Sequence, residues 1–268
     1  MLPVLLVLFS LIAVYLFLVF PAIRRHPHRQ FLDGQYIAHR GLHDLCNNTP
    51  ENSLAAFQKA VEAGLAAECD IHLTADGEVV VFHDDTLSRM CGNDGVVEQL
   101  TLDELRKYRL QNTNQAIPTL RELLALIDGR VSLLIELKAY KGNDCALCEA
   151  ADAILREYHG IYFVQSFYPL ALRWYKRHRP DVCRGQLSSG FKGEALLKKL
   201  AARLLFNFLS RPDFVSYDHE YAPRLSLSIN IMLGAFPVGW TFRSAEAVKK
   251  YNTQFCTYIF ELFNPDDH

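Results

Sequence analysis

The residues best suited to chemistry fall between positions 36 and 84. They are His39, Arg40, Glu68, Asp70 and His83, set among segments that otherwise read as buried strand, with His72 in the same run left as a structural or rim residue. Glu68, Asp70, His72 and Thr74 alternate with Cys69, Ile71 and Leu73. Successive side chains of a strand point to opposite faces, so the four polar groups share one face. Carboxylates on an inward face are costly unless a cation or a partner compensates them. Glu136 and Lys138 repeat the two-residue spacing in a later apolar run. Glu68, Asp70 and Glu136, without a cysteine or histidine cluster, favour a hard divalent cation, Mg2+ or Ca2+, over zinc. The plainer alternative is a buried ion-pair network of Glu68, Asp70, Arg40 and Lys138.

His39 and His83 each close an apolar run beside this set. Histidine titrates near neutrality, so one ring can accept a proton while the other donates one. Arg40 offers a planar fork of donors and Lys138 a point charge, which together fit phosphate. Asp76-Gly77 marks a hairpin turn. Thr74 opposite Val79 would set His83 opposite Asp70, and a slip of one residue would turn His83 to the other face.

The elements that must position these groups alternate. Strands read over 36–38, 68–74, 78–82, 131–139, 162–167, 183–187, 214–218, 238–242 and 255–260, with helices over 53–63, 101–108, 120–127, 145–158, after Pro169, from Gly193 and over 244–251. Asn52 suits the N-cap of the first of these helices, and Thr101-x-x-Glu104 is a capping-box pattern. The alternation predicts a TIM-type (β/α)8 barrel, with one strand to spare: the hairpin's return strand or a terminal candidate. A doubly wound open sheet is the alternative, but no glycine-rich nucleotide loop follows any strand.

His39-Arg40-Gly41, Pro50-Glu51-Asn52-Ser53, Glu68-x-Asp70, Asp76-Gly77 and His83-Asp84, followed by Ile117-Pro118-Thr119-Leu120 and Ile135-Glu136-Leu137-Lys138, resemble the glycerophosphodiester phosphodiesterase family. The likeness runs over residues 36–260 and is strongest up to Lys138. It implies metal ligation by Glu68, Asp70 and Glu136, and general acid–base roles for His39 and His83. It also implies a pocket-lining aromatic at Trp240, and a strand end at Gln165-Ser166-Phe167 like the family's own. The implied substrates are glycerophosphodiesters, or lysophospholipids if the pocket lies near lipid. Attack on phosphorus would come from water or, through a cyclic phosphate, from the glycerol 2-hydroxyl. Asn52 could contact substrate instead of capping. The family's frequent closing Thr-Asp-Arg-Pro is absent, and Tyr258 to Pro265 stands there, so the last strand's contribution is left open. Competing readings are a membrane-anchored phospholipase of the phosphatidylinositol or sphingomyelinase type and a non-catalytic lipid-binding barrel. Binding alone needs neither histidine, which weighs against the latter.

At 268 residues and half hydrophobic, the chain can build a sizeable core. Its net charge of −2 carries no footprint of a nucleic-acid partner. Leu2 to Ile23 lacks any charge, and about 20 apolar residues suffice to span a bilayer. No basic residue precedes the run and Pro21-Ala22-Ile23 makes a poor cleavage site, so residues 1–23 read as an anchor in preference to a signal peptide. Residues 24–35 read as a linker and 36–268 as the barrel domain. Arg24, Arg25 and Arg29 follow the span and would keep that domain in the cytoplasm. Seven cysteines, an odd number, do not suggest a disulfide framework, and Cys145-x-x-Cys148 reads as two helix thiols. From Lys192 to Arg211, Leu196, Leu197, Leu200, Leu204 and Phe208 form one helical stripe, read as the buried face of an outer barrel helix. Leu205, Phe206 and Leu209 widen the apolar arc, so a helix lying on a bilayer is the sharper alternative.

Overall fold

The computed structural model describes residues 2–140, 142–191 and 195–265. Its strands are β1 (Tyr36–Ala38), β2 (Ala66–Leu73), β3 (Val79–Val81), β4 (Leu133–Leu137), β5 (Tyr162–Ser166), β6 (Arg184–Ser188), β7 (Phe214–Asp218), β8 (Phe236–Phe242) and β9 (Thr257–Phe260). The helices before the middle of the chain are α1 (Leu2–Val19), α2 (Leu54–Glu62), α3 (Ser88–Cys91), α4 (Leu102–Leu105) and α5 (Leu120–Ile127). Those after it are α6 (Asp144–Leu155), α7 (Pro169–His178), α8 (Leu196–Ala202), α9 (Asn207–Ser210), α10 (Leu225–Met232) and α11 (Ala245–Tyr251).

The sheet order is β1-β9-β8-β7-β6-β5-β4-β2-β3, and β1 also pairs with β2, so eight parallel strands close into the expected barrel. The spare strand is β3, the hairpin's return, which runs antiparallel along the outside of the closed set on β2. Its register differs from the expected one by a residue: Val79 pairs with Leu73 and Val81 with Ile71. That slip sends Phe82 into a small apolar lobe with Val80, Met90 and Leu105. His83 escapes the consequence because β3 ends at Val81 and the chain bends at 83–85, carrying the ring to the strand ends.

Alternation then divides the barrel by height. Ala66, Glu68 and Asp70 share one face of β2, as Leu134 and Glu136 share one face of β4. The lower members, Ala66 and Leu134, join Ile37, Phe163, Phe214 and Val238 in an apolar plug inside the amino-terminal half. A Cβ on Gly185 would lie 1.9 Å from the Phe214 ring, so the ring's place in the plug depends on that glycine. The opposite faces, such as Cys69, Ile71 and Ile135, pack outward on Phe57, Leu123 and Leu147 of the surrounding helices. Burial of each such side chain contributes about 1.5–3 kcal/mol.

The residues read as a linker lie across the amino-terminal opening. Arg29 donates to the Gly234 carbonyl and Gly34 N–H to the Cys256 carbonyl, while Leu32 is 1% exposed within the plug. Ser53, not Asn52, caps α2, its Oγ accepting from Ala56 N–H at 3.1 Å. The stripe expected in the 192–211 segment is broken. Residues 192–194 lie outside the described set, α8 stops at Ala202, and Leu204 takes a left-handed φ of 59°. Leu204 is buried, but Leu196 and Leu197 face solvent. Helix α10 has no counterpart in the sequence reading, because its apolar residues occupy the outer as well as the inner face.

Because Leu32 belongs to the plug, Leu32→Ala should lower stability by about 2–4 kcal/mol, the usual cost of such a cavity. Denaturant unfolding measures this, and an unchanged midpoint would mean that the segment is not part of the core.

Candidate active site

At the carboxyl ends of the strands, β2 supplies Glu68 and Asp70, and β4 supplies Glu136. One oxygen from each lies within 4.8 Å of the others, and all three residues are buried. Lys138, just past β4, places Nζ 2.7 Å from Glu136 Oε1 and 2.9 Å from Asp70 Oδ1. Arg40 follows β1 with a left-handed φ of 57°. Its backbone N–H donates to Glu68 Oε2 at 3.0 Å and its Nε lies 3.5 Å from Asp70 Oδ2. Gly41 makes this turn possible: its φ is 78°, and a Cβ there would meet the Ala56 backbone at 2.9 Å.

Asn52 belongs to the site, its Nδ2 donating to Asp70 Oδ2 at 2.8 Å. Glu51 accepts from Arg40 at 2.6 Å and is held on its other side by Arg89, which also grips Asp84. The histidines are each fixed from behind. His39 Nδ1 lies 2.6 Å from Glu261 Oε2, and His83 Nδ1 lies 2.5 Å from Asp84 Oδ1. An ionised carboxylate can only accept, so each Nδ1 carries its proton and each Nε2 is left for exchange.

His39, Arg40, Glu68, His83, Glu136, Lys138 and Trp240 line one cavity of 230 Å3, with Phe167 and Leu187 as apolar wall. A neighbouring space of 520 Å3 shares His83, Glu136, Lys138 and Phe167. The Phe167 ring stands 5.7 Å from Trp240 and 5.9 Å from Phe191. Every residue given a chemical role from sequence therefore meets at this mouth, while His72, read as a structural or rim residue, is fully buried against Glu98 and the His83 carbonyl.

Charge is unevenly settled here. Burial, and then the neighbouring Asp70 and Glu136 carboxylates, push the Glu68 carboxyl well above its usual range. Burial also raises Glu136, against the pull of Lys138. For Asp70 burial acts upward too, but Lys138, His83 and Arg40 outweigh it and hold the group well below normal. Three buried carboxylates thus face two cations, one of them shared with Glu51. A divalent cation among these oxygens would remove that charge deficit, so the residues fit such an ion. Both histidines are lowered by burial, His39 despite the Glu261 hydrogen bond and His83 despite Asp70. Asp84 is brought down to about 2 against its burial by Arg89 and His83.

Sequence reasoning missed Glu261, Asp84's bracing role and Arg89. Glu261 comes immediately after β9 and also pairs with Arg243 at 2.8 Å. The last strand does contribute, through a carboxylate that no period or spacing tied to a histidine 222 residues earlier. The Asp84–Arg89 spacing was visible but carried no signal without the bend at 83–85.

A family model described as the glycerophosphoryl diester phosphodiesterase family matches residues 39–258. Among curated proteins, the chain is 35% identical over 165 residues to a glycerophosphodiester phosphodiesterase of Caldanaerobacter subterraneus, covering 56% of this chain and 65% of that one. It is 34% identical to glycerophosphodiester phosphodiesterase 1 of Homo sapiens over 159 residues, covering 54% of this chain and 45% of that one. These matches span less than two thirds of either relative. Among solved structures, an Oleispira antarctica phosphodiesterase in complex with the product sn-glycerol-3-phosphate superposes with a TM-score of 0.73. The two are 26% identical, over 87% of this chain and 94% of that one.

The lowered histidines generate a prediction for any reaction at this mouth that needs a neutral imidazole. Burial disfavours the charged form, so the acidic limb of kcat/KM should lie below the ordinary histidine value of 6.5. Glu261→Gln removes the groups that partly restore the His39 value, so the limb should move further down in pH while kcat falls. A limb above about pH 7, or an upward shift in Glu261→Gln, would contradict the assignment of His39 to this environment.

Proposed function

Since the chain belongs to the glycerophosphoryl diester phosphodiesterase family, we propose that it hydrolyses glycerophosphodiesters with a divalent cation held by Glu68, Asp70 and Glu136. The observation that carries the reading is the charge-deficient carboxylate cluster flanked by two carboxylate-braced histidines. The Oleispira structure's sn-glycerol-3-phosphate supports a glycerol phosphate as one product, with an alcohol as the other.

A divalent cation held by these three carboxylates, Mg2+ or Ca2+, would supply Lewis acidity toward a phosphoryl oxygen. Arg40 and Lys138 border the same space and hold the phosphodiester, offsetting the charge that grows as the phosphorus is attacked. His39 and His83 exchange protons through Nε2, one taking the proton of the attacking hydroxyl and the other returning one to the leaving alkoxide. Glu261 and Asp84 stabilise whichever ring is charged and fix its orientation, as a buried aspartate does for the histidine of a serine-protease triad. Asn52 and Arg89 act indirectly, Asn52 on Asp70 and Arg89 on Asp84 and Glu51. Trp240 and Phe167 line the cavity and fit the organic part of the diester.

Helix α1, 18 residues of mean hydropathy 2.9 and 6% buried, serves in this reading as a single-pass anchor. The arginines after it favour a catalytic domain in the cytoplasm. A lysophospholipid substrate is the second reading, favoured by the aromatic run from Phe191 through Phe167 to Trp240, which suits an acyl chain.

The test is release of choline from glycerophosphocholine and from lysophosphatidylcholine, with and without chelator. Wild type should act on the first substrate only with metal. Glu68→Gln, Asp70→Asn, Glu136→Gln and His39→Ala should each lose at least about a hundredfold, the scale of one general acid–base or electrostatic contribution, with the fold retained. Full turnover in exhaustive chelator would overturn the metal assignment. Between the histidines, the variant whose defect shrinks with a p-nitrophenyl leaving group is the one lacking the general acid.

A further inference from the structure

The outer faces of α8 and α10 carry apolar side chains that no described part of the chain covers. In α8 only Ala202 is buried, while Leu196 and Leu197 are 70% and 68% exposed. An outer helix of a barrel ordinarily buries an apolar stripe against the strands, and this one turns leucines outward instead. On α10, Leu225 and Met232 stand seven residues apart on one face and are 74% and 85% exposed.

Both helices flank the place where α1 docks. The Phe17 ring lies 5.9 Å from Phe208, Arg211 donates to the carbonyls of Phe17 and Phe20 at 2.8 Å, and Asn207 donates to the Val19 carbonyl. Asn207 also bonds Asn230 of α10 at 2.8 Å, and Arg224 bonds the carbonyl of Ala202 that ends α8. The last turns of α1 are thereby fixed to the same group of helices that bears the exposed leucines and methionine. Lys199 and Arg203 sit exposed among them. Apolar side chains with interleaved cations, continuous with a membrane span, match the chemistry of a bilayer interface, where the former enter the acyl boundary and the latter meet anionic headgroups.

We propose that the α8–α10 flank rests on the lipid bilayer beside α1, so that the barrel is held by two contacts and not by a tether alone. The inference depends on reading α1 as a membrane anchor. The Phe191 ring, shortly after β6, lies 5.9 Å from Phe167 of the active-site cavity.

The experiment uses the full chain in vesicles of phosphatidylcholine mixed with phosphatidylserine. The exposed Cys46, Cys145 and Cys256 are first changed to serine. A single environment-sensitive fluorophore is then placed by Leu8→Cys in α1, Leu197→Cys, Met232→Cys, or Leu262→Cys, the last exposed and outside the flank. With nitroxide-bearing lipid, emission at 8, 197 and 232 should fall by about half or more, and emission at 262 by less than about a tenth, as expected for side chains at interfacial depth or beyond against one in water. Labels at 197 and 232 quenched no more than at 262, with Leu8→Cys quenched, would overturn the proposal and leave the anchor standing. A blue shift at 197 or 232 without lipid quenching would show a second protein copy covering the face, which overturns it equally. An unquenched label at position 8 would remove the anchor and this inference together.

Discussion

Everything at the mouth of this barrel depends on one electrostatic imbalance. Glu68, Asp70 and Glu136 are buried within 4.8 Å of one another, and the chain opposes them with Lys138 and a share of Arg40. Burying a carboxylate costs several kcal/mol unless it is paired. A fold seeking stability alone would replace such a cluster with apolar side chains, as the layer beneath it does at Ala66 and Leu134. The structure concentrates the cost in one layer, at the strand ends where ligand chemistry gathers in closed barrels. The remaining features act on that layer. Asn52 orients Asp70, the Arg40 turn aims a backbone donor at Glu68, and Arg89 ties Asp84 and Glu51 together at the rim.

The two ends of the barrel do different work. The amino-terminal end is closed by an apolar plug and by Leu32, with the chain arriving from α1 folded across it. The carboxyl end is polar, open and strained, with left-handed backbone at Arg40 and Asn52. Strain of about 1–3 kcal/mol per such residue persists only when the surroundings over-determine it, as the Gly41–Ala56 contact and the Asn52–Asp70 bond do here. Stability and chemistry are separated along the barrel axis, which is why a deep cavity and a rigid core coexist in one domain.

Much of this was legible in the sequence, for identifiable reasons. The two-residue period of Glu68 and Asp70, and of Glu136 and Lys138, fixes which side chains share a face whatever the tertiary structure. The β/α alternation likewise fixed the barrel and its one spare strand. Register was less secure: β3 pairs one residue away from the expected alignment, and His83 reaches the site only because the strand stops at Val81. Glu261 was invisible because its partnership with His39 spans 222 residues and arises only on closure of β9 against β1. Asn52 looked like a cap because capping is local chemistry, but Ser53 takes that role and frees the amide for Asp70. The apolar stripe after residue 195 misled because a periodic pattern says nothing about what covers it. The helix breaks near Leu204, and its first two leucines face outward.

The central claim is that the carboxylate cluster is a site for one divalent cation, and calorimetric titration of the full chain with Mg2+ and with Ca2+ measures it most directly. Burial and its neighbours keep the Glu68 carboxyl above the normal range, so binding should release protons as well as heat. The account predicts one ion per chain, a binding heat that varies with the ionisation enthalpy of the buffer, and loss of binding in Glu136→Gln. Absence of binding at millimolar metal, or binding that survives substitution of all three carboxylates, would contradict it.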